Sequence, residues 1–250
     1  MSQKTTVDWA GLDFAGFARL ATDDSLSKYE KIGFPDSYRI GFEPAIFDDI
    51  RTKLSRLNER GLAVLDIGPG CSDLPYMLID LCSAQGHQLF LIDSEEMLRH
   101  LPDAPFIDKR PGLFPSRAAV ADLKGRVDVI NCYSVLHYIF IDANPFDFID
   151  LCLELLRPGG ELLIGDIPNV SKRRRFFSSD AGVAYHRAFT GTDTMPALQD
   201  GVSSVNVIDD AAVMDIVMRA RAAGADAYLL PQPASLPMAN RREDILIRRP

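Results

Sequence analysis

Residues 62–73 read Leu-Ala-Val-Leu-Asp-Ile-Gly-Pro-Gly-Cys-Ser-Asp. The unbroken apolar run that closes on Asp66 is the pattern of a strand covered on both faces. Gly68 and Gly70 flank Pro69 in a tight turn. Glycine there permits positive φ and lets a ligand come close to the main chain. The next stretch, SDLPYMLIDLCSA (72–84), predicts a helix with Ser72 as N-cap and Asp73 in its first turn. Strand, glycine turn and helix together form the opening unit of an open parallel sheet. Ligands of such sheets bind at the carboxyl ends of the strands, where the strand order reverses.

The same alternation continues outward. QLFLID (88–93) is a second buried strand ending on Asp93. Ser94 is placed to cap a short helix, with Glu95 and Glu96 at the positive end of its dipole. A weaker strand is expected near Phe106 and Ile107, and a fourth over RVDVINCYSV (126–135). Phe146, Ile149, Leu153 and Leu156 recur at helical spacing, so residues 145–157 read as a helix that stops at Pro158 and two glycines. ELLIGDI (161–167) is a fifth strand. Asp209 opens a helix carrying Val213, Ile216, Val217 and Ala220, and AYLLPQP (227–233) and DILIRR (244–249) are the last strands. The link between those two is too short for a right-handed crossover, which predicts an antiparallel hairpin at the sheet edge.

The fold class expected is therefore α/β: a doubly wound, mostly parallel seven-stranded sheet with a C-terminal antiparallel hairpin. Residues 1–60 read as an N-terminal helical cap, in which Ile46, Phe47, Ile50, Leu54 and Leu57 share one helix face. Residues 61–250 form a Rossmann-like domain, with a long irregular, lid-like insert at about 168–207.

Composition narrows the functional classes. Lys plus Arg number 27 and Asp plus Glu 35 in 250 residues, a net charge of −8. An acidic chain does not attract polyphosphate through its overall field, so nucleic-acid partners are not expected. The 47% of hydrophobic residues excludes a disordered chain. The N-terminus lacks the apolar core of a secretory signal, and no stretch is long and apolar enough to span a bilayer. Cys71, Cys82, Cys132 and Cys152 are scattered and read as buried thiols rather than metal ligands. A cytoplasmic protein without a metal and without a membrane partner is expected.

Asp93 lies 23 residues beyond Gly70. A carboxylate at that strand end can accept both hydroxyls of a ribose, which describes an adenosine-containing cofactor. Two such cofactors compete. A dinucleotide fingerprint has glycine at the sixth position from Gly68, where this chain has Asp73. An acid in that first turn opposes a pyrophosphate at the helix end. S-adenosylmethionine carries no phosphate, and its cationic sulfonium tolerates acids such as Asp66.

Residues 64–73 resemble the first motif of class I S-adenosylmethionine-dependent methyltransferases. The similarity continues through LFLIDSEEML (89–98), DVINCYSVLHYI (128–139) and LRPGGELLIGDI (156–167), and covers roughly residues 61–167. The stretch SLSKYEKIGFPDSYR (25–39) also resembles methyltransferases of bacterial surface-polysaccharide gene clusters. The resemblance implies that Asp66, Gly68 and Gly70 line the methionyl part of the cofactor. It implies that Asp93 holds the ribose with Ser94 beside it, and that Tyr133 and Ser134 lie near cofactor and substrate. The chain departs from many members at Ser72, where they have a third glycine. Leu113 or a neighbour is the expected adenine contact.

Methyl transfer to a hydroxyl also needs a proton acceptor. His137, Asp166 and His186 are the catalytic candidates; the alternatives are packing for His137, turn capping for Asp166 and exposure for His186 and its neighbour Tyr185. Tyr29, Tyr38 and Arg39 are placed to close over the cofactor, with Arg39 suited to a methionyl carboxylate or an anionic substrate. Lys172 to Arg175 form a basic run, read either as an anion-recognition segment or as a solvated loop. The expected activity is methyl transfer to a small-molecule or sugar-derived acceptor at oxygen. A nicotinamide-dependent oxidoreductase and a non-catalytic cofactor-binding domain are the alternatives.

Overall fold

The computed structural model describes residues 12–197 and 207–250. The first eleven residues of the expected cap and residues 198–206 of the expected insert lie outside the described residues.

Strands β1 (Ala63–Ile67), β2 (Gln88–Asp93), β3 (Ile107–Pro111), β4 (Val127–Tyr133), β5 (Leu156–Pro168), β6 (Asp226–Pro231) and β7 (Arg242–Arg248) form one sheet. Their order is β3-β2-β1-β4-β5-β7-β6. The first five are parallel neighbours. β7 runs antiparallel between β5 and β6. The expected hairpin is thus present, with β6 rather than β7 at the edge. The chain builds outward from β1 to β3, then returns to place β4 on the other side of β1. The strand order reverses there, which opens a crevice beyond the carboxyl ends of β1 and β4.

The central strands are apolar without alternation because both faces are covered. All seven residues of β4 are buried. On one face, α7 (Pro145–Leu155) contributes Phe148, Ile149, Cys152 and Leu155, and α10 (Asp210–Ala222) contributes Val213, Ile216 and Val217. On the other face, α3 (Glu43–Lys53) and α4 (Asp73–Gln85) supply Ile46, Ile50, Leu78, Ile79 and Cys82. Phe148 is fully buried, so truncation to alanine would cost about 3–5 kcal/mol. Helix ends follow local chemistry: α7 opens on the Asn144 cap with Pro145 at its first position, and α4 closes on Gly86 at φ 70°.

The N-terminal segment carries α1 (Phe14–Ala21) and α2 (Lys28–Lys31) ahead of α3. Asp13 caps α1, and Ser27 with Glu30 forms a capping box on α2. α1 packs on the short helix α5 (Glu95–Leu98), and α3 packs on α4. The first of these contacts lies beside the crevice, where Phe17 of α1 and Met97 of α5 both line the cavity.

The described part of the insert is largely helical rather than irregular. Residues beyond β5 form α8 (Val170–Phe177) and α9 (Asp180–Thr190). Asn169 and Ser179 cap them by accepting the Lys172 and Gly182 backbone N–H groups. Phe176 meets Phe177 and Tyr185 edge to face. The basic run hides the helical period of α8, since only Val170, Phe176 and Phe177 are large and apolar there. Among the described residues, no helix is long and apolar enough to cross a membrane, and no group of three His, Cys, Asp or Glu residues could hold a metal.

Candidate active site

A cavity of about 880 Å³, including its mouth, occupies the crevice. Its floor is the turn after β1, from Ile67 to Gly70, with Ser72. Asp93 and Met97 enter from the end of β2, and Gly112, Leu113 and Phe114 from the end of β3. Tyr133 ends β4, Ser134 and Val135 follow it, and Tyr138, Ile139 and Asp142 come from α6 (Leu136–Asp142). The N-terminal segment closes the other side with Phe14, Phe17, Ile32, Phe34 and Arg39.

The glycine turn is required sterically. Gly68 has φ 68° and Gly70 φ 66°. A Cβ on Gly68 would stand 2.5 Å from Val135 Cγ2, and one on Gly70 2.7 Å from Ile32 Cγ2. The bare backbone therefore lets both the β4 end and the cap approach the turn. Ser72, in place of a third glycine, begins α4 in extended geometry and makes no side-chain cap bond.

Asp93 sits on the cavity wall. Its Oδ2 accepts the Gly70 N–H at 3.0 Å and its Oδ1 the Ser94 N–H at 2.7 Å. Burial raises its pKa to about 6, against the lowering effect of those two bonds. Ser94 does not reach the cavity. It is buried and caps α5 by accepting the Met97 N–H. Asp66 is also off the wall, where its Oδ1 accepts the Asn131 amide at 2.8 Å. Burial pushes Asp66 up to about 7, with the Asn131 bond opposing.

Ser134 and Asp166 come together at the ends of adjacent strands. The Ser134 hydroxyl donates to Asp166 Oδ2. Ser134 has φ 63° and Asp166 φ 57°, both in the left-handed region that costs a non-glycine residue about 1 kcal/mol or more. Arg39 donates to Ser134 Oγ at 2.8 Å and stands 3.5 Å from Asp166. Arg242 also lies 3.5 Å from Asp166 and donates to its carbonyl. Asp166 is thus shared by two guanidiniums and reaches the cavity only through Ser134. Tyr133 lines the cavity with its ring against Gly165, where a Cβ would meet Tyr133 Cδ2 at 2.3 Å. Burial holds its phenol well above the ordinary range.

The two histidine candidates do not line the cavity. His137 Nδ1 is buried without a hydrogen-bond partner, and its ring packs on Tyr138. Burial, with Arg242 adding to the effect, pulls the imidazole down to about 3 and keeps it neutral. His186 lies on α9 against the Phe177 ring. Tyr29 donates to Asp73 at 3.1 Å, and Lys28 also pairs with Asp73. Tyr38 stacks on Phe189. The basic run is a helix rather than a loop. Lys172 donates to the Arg242 carbonyl, Arg173 lies over the Phe177 ring, Arg175 pairs with Asp210, and none of the four lines the cavity. Burial raises the Cys71 thiol to about 11, so it is no nucleophile.

Sequence reasoning missed the apolar wall of Phe14, Phe17, Ile32 and Phe34. Their aromatic and aliphatic content was visible, but only the packing of α1 on α5 turns it toward the crevice.

No family model and no curated protein matches the chain. Solved structures do. The plantazolicin methyltransferase BamL, solved with a triazolic desmethylPZN analog and SAH, is similar at 14% identity and a TM-score of 0.55, over 94% of this chain and 96% of that one. The N-methyltransferase NodS from Bradyrhizobium japonicum WM9, solved with S-adenosyl-L-homocysteine, is similar at 17% identity and a TM-score of 0.51, over 95% and 98%. The DszA carbon methyltransferase is similar at 14% identity and a TM-score of 0.55, over 95% of this chain and 67% of that one. At such identities the likeness is one of architecture. The chain has the fold of the class I S-adenosylmethionine-dependent methyltransferases.

Proposed function

We propose that the protein transfers the methyl group of S-adenosylmethionine to a small-molecule acceptor, at oxygen. The observation that carries this reading is the junction of the Gly68–Gly70 turn with Asp93 on one cavity wall. The turn lines the cavity floor, and the buried acid tied to it keeps lone pairs for a ribose. Two similar structures, BamL and NodS, were solved with the demethylated cofactor.

When bound, the cofactor supplies an electrophilic methyl group on a sulfonium. The chain supplies position and a route for the proton. An acceptor hydroxyl can donate to the remaining lone pair of Ser134 Oγ. Were the methyl group to leave the sulfonium, giving the thioether S-adenosylhomocysteine, and join the acceptor oxygen, the hydroxyl proton would pass to Ser134 Oγ and the Ser134 proton to Asp166 Oδ2. Arg39 and Arg242 hold Asp166 in place for this. Alignment of the reacting atoms accounts for most of the rate such an enzyme gains. The aromatic wall of Phe14, Phe17, Phe34 and Tyr138 favours an acceptor with an apolar face over a sugar-derived one.

The nicotinamide alternative is disfavoured by Asp73, which stands at the first position of α4 and is held there by Lys28 and Tyr29. An acid at that end weakens its attraction for a diphosphate. A thermal-shift comparison tests the reading. S-adenosylhomocysteine should raise the melting temperature and NAD should not. Stabilisation by NAD alone would overturn it.

A further inference from the structure

Arg39 is the single Lys or Arg on the cavity wall among the described residues. Its side chain is 4% exposed, and its environment fixes it on three sides. The guanidinium lies over the Phe34 ring at 4.1 Å. One terminal nitrogen donates to Ser134 and faces Asp166. The remaining inner nitrogen, Nε, is buried and has no acceptor. A buried N–H without a partner is rare, because water has been removed and nothing has replaced it. The Arg39 side chain itself lines the cavity.

We propose that Arg39 Nε–H donates to a carboxylate oxygen of a ligand bound in this cavity. The chemistry favours a carboxylate over a phosphate. Asp166 stands 3.5 Å away, Asp93 and Asp142 line the same wall, and the buried Glu43 also feels the Arg39 charge. Such surroundings repel a doubly charged anion and accept a singly charged planar one. The partial charge left by Asp166, shared with Arg242, matches one carboxylate. Two sources supply that group: the amino-acid end of the donor, or an acid function on the acceptor. The inference rests on the methyl-transfer reading for the donor source alone.

Calorimetry separates the sources. S-adenosylhomocysteine carries the carboxylate, and 5′-methylthioadenosine keeps the nucleoside and thioether without it. If the donor is the source, Arg39→Gln weakens S-adenosylhomocysteine about tenfold or more and leaves methylthioadenosine unchanged. Arg39→Lys should restore little, since lysine has no planar fork. If the acceptor is the source, both nucleosides bind the variant as they bind wild type. Benzoate then binds the nucleoside-loaded wild type and fails to bind the loaded variant. An Arg39→Gln protein that changes neither the nucleoside preference nor benzoate binding overturns the proposal. Should Arg39→Gln not fold, the methyl ester of S-adenosylhomocysteine tests the unaltered protein: about tenfold weaker binding supports the donor source. Equal binding rejects it and leaves benzoate to decide. A wild type that binds neither nucleoside contradicts the methyl-transfer reading instead, and benzoate binding without nucleoside then decides the role of Arg39.

Discussion

The Gly70 backbone N–H donates to Asp93 Oδ2 at 3.0 Å, tying the turn after β1 to the acid that ends β2. Two features 23 residues apart are thereby joined at one wall of the cavity. The Ser94 N–H fixes the other carboxylate oxygen. Asp93 is oriented by main chain alone, so its side chain needs no partner residue and its outward lone pairs stay available.

That arrangement predicts pH-dependent binding. Burial raises Asp93 to about 6. The ionised form accepts two hydroxyls, and protonation below that value removes an acceptor. Affinity for S-adenosylhomocysteine should therefore fall as the pH is taken from 7.5 to 5. Asp93→Asn should bind about 1–3 kcal/mol more weakly at pH 7.5 and lose most of the pH dependence. Calorimetry at the two pH values checks this; equal affinities of variant and wild type would remove Asp93 from the site.

The turn itself tolerates no side chain. Gly68→Val would add branched carbon where even a Cβ lies 2.5 Å from Val135, at a φ of 68°. Loss of S-adenosylhomocysteine binding in a protein with wild-type circular dichroism is the expected result. Retained binding would move the donor away from this turn.

Asp166 balances two buried or partly buried guanidiniums, Arg39 and Arg242. Removing the shared carboxylate leaves both without their counter-charge. Asp166→Ala should lose about 3–5 kcal/mol of stability in urea denaturation. A loss below about 1 kcal/mol, the ceiling for typical exposed pairs, would show that the cluster is not held by charge.

Asp66 makes an opposite prediction. Burial raises it from 3.8 to about 7. The protonated form is the one the fold favours, so the contribution of Asp66 is present at low pH and is lost as pH rises through about 7. Asp66→Asn, which cannot ionise, should melt higher than wild type at pH 8, and its advantage should shrink as the pH is lowered to 5. A variant less stable at pH 8 would contradict burial as the cause.

The strand pattern was legible because β1, β2, β4 and β5 are buried on both faces and need continuous apolar runs. The glycine turn and Asp93 were legible for a similar reason, since backbone freedom and a strand-end acid leave a direct mark in sequence. Other parts left none. Ser94 has the right place in the chain, yet its hydroxyl is spent on the Met97 N–H. His137 follows the right strand, but the turn of α6 carries Tyr138 and Ile139 to the cavity and leaves His137 off its wall. Helix α8 was hidden because its stability comes from caps and aromatic contacts rather than an apolar stripe. The cap residues Phe14 and Phe17 are far from the β1 turn in sequence, and only tertiary packing brings them to it.

A crystal soaked with S-adenosyl-L-homocysteine tests the central claim most directly. The ligand should lie in the cavity at the Gly68–Gly70 turn, with both ribose hydroxyls within hydrogen-bond distance of Asp93. An unchanged cavity at saturating ligand, or a ribose that avoids Asp93, would contradict the account.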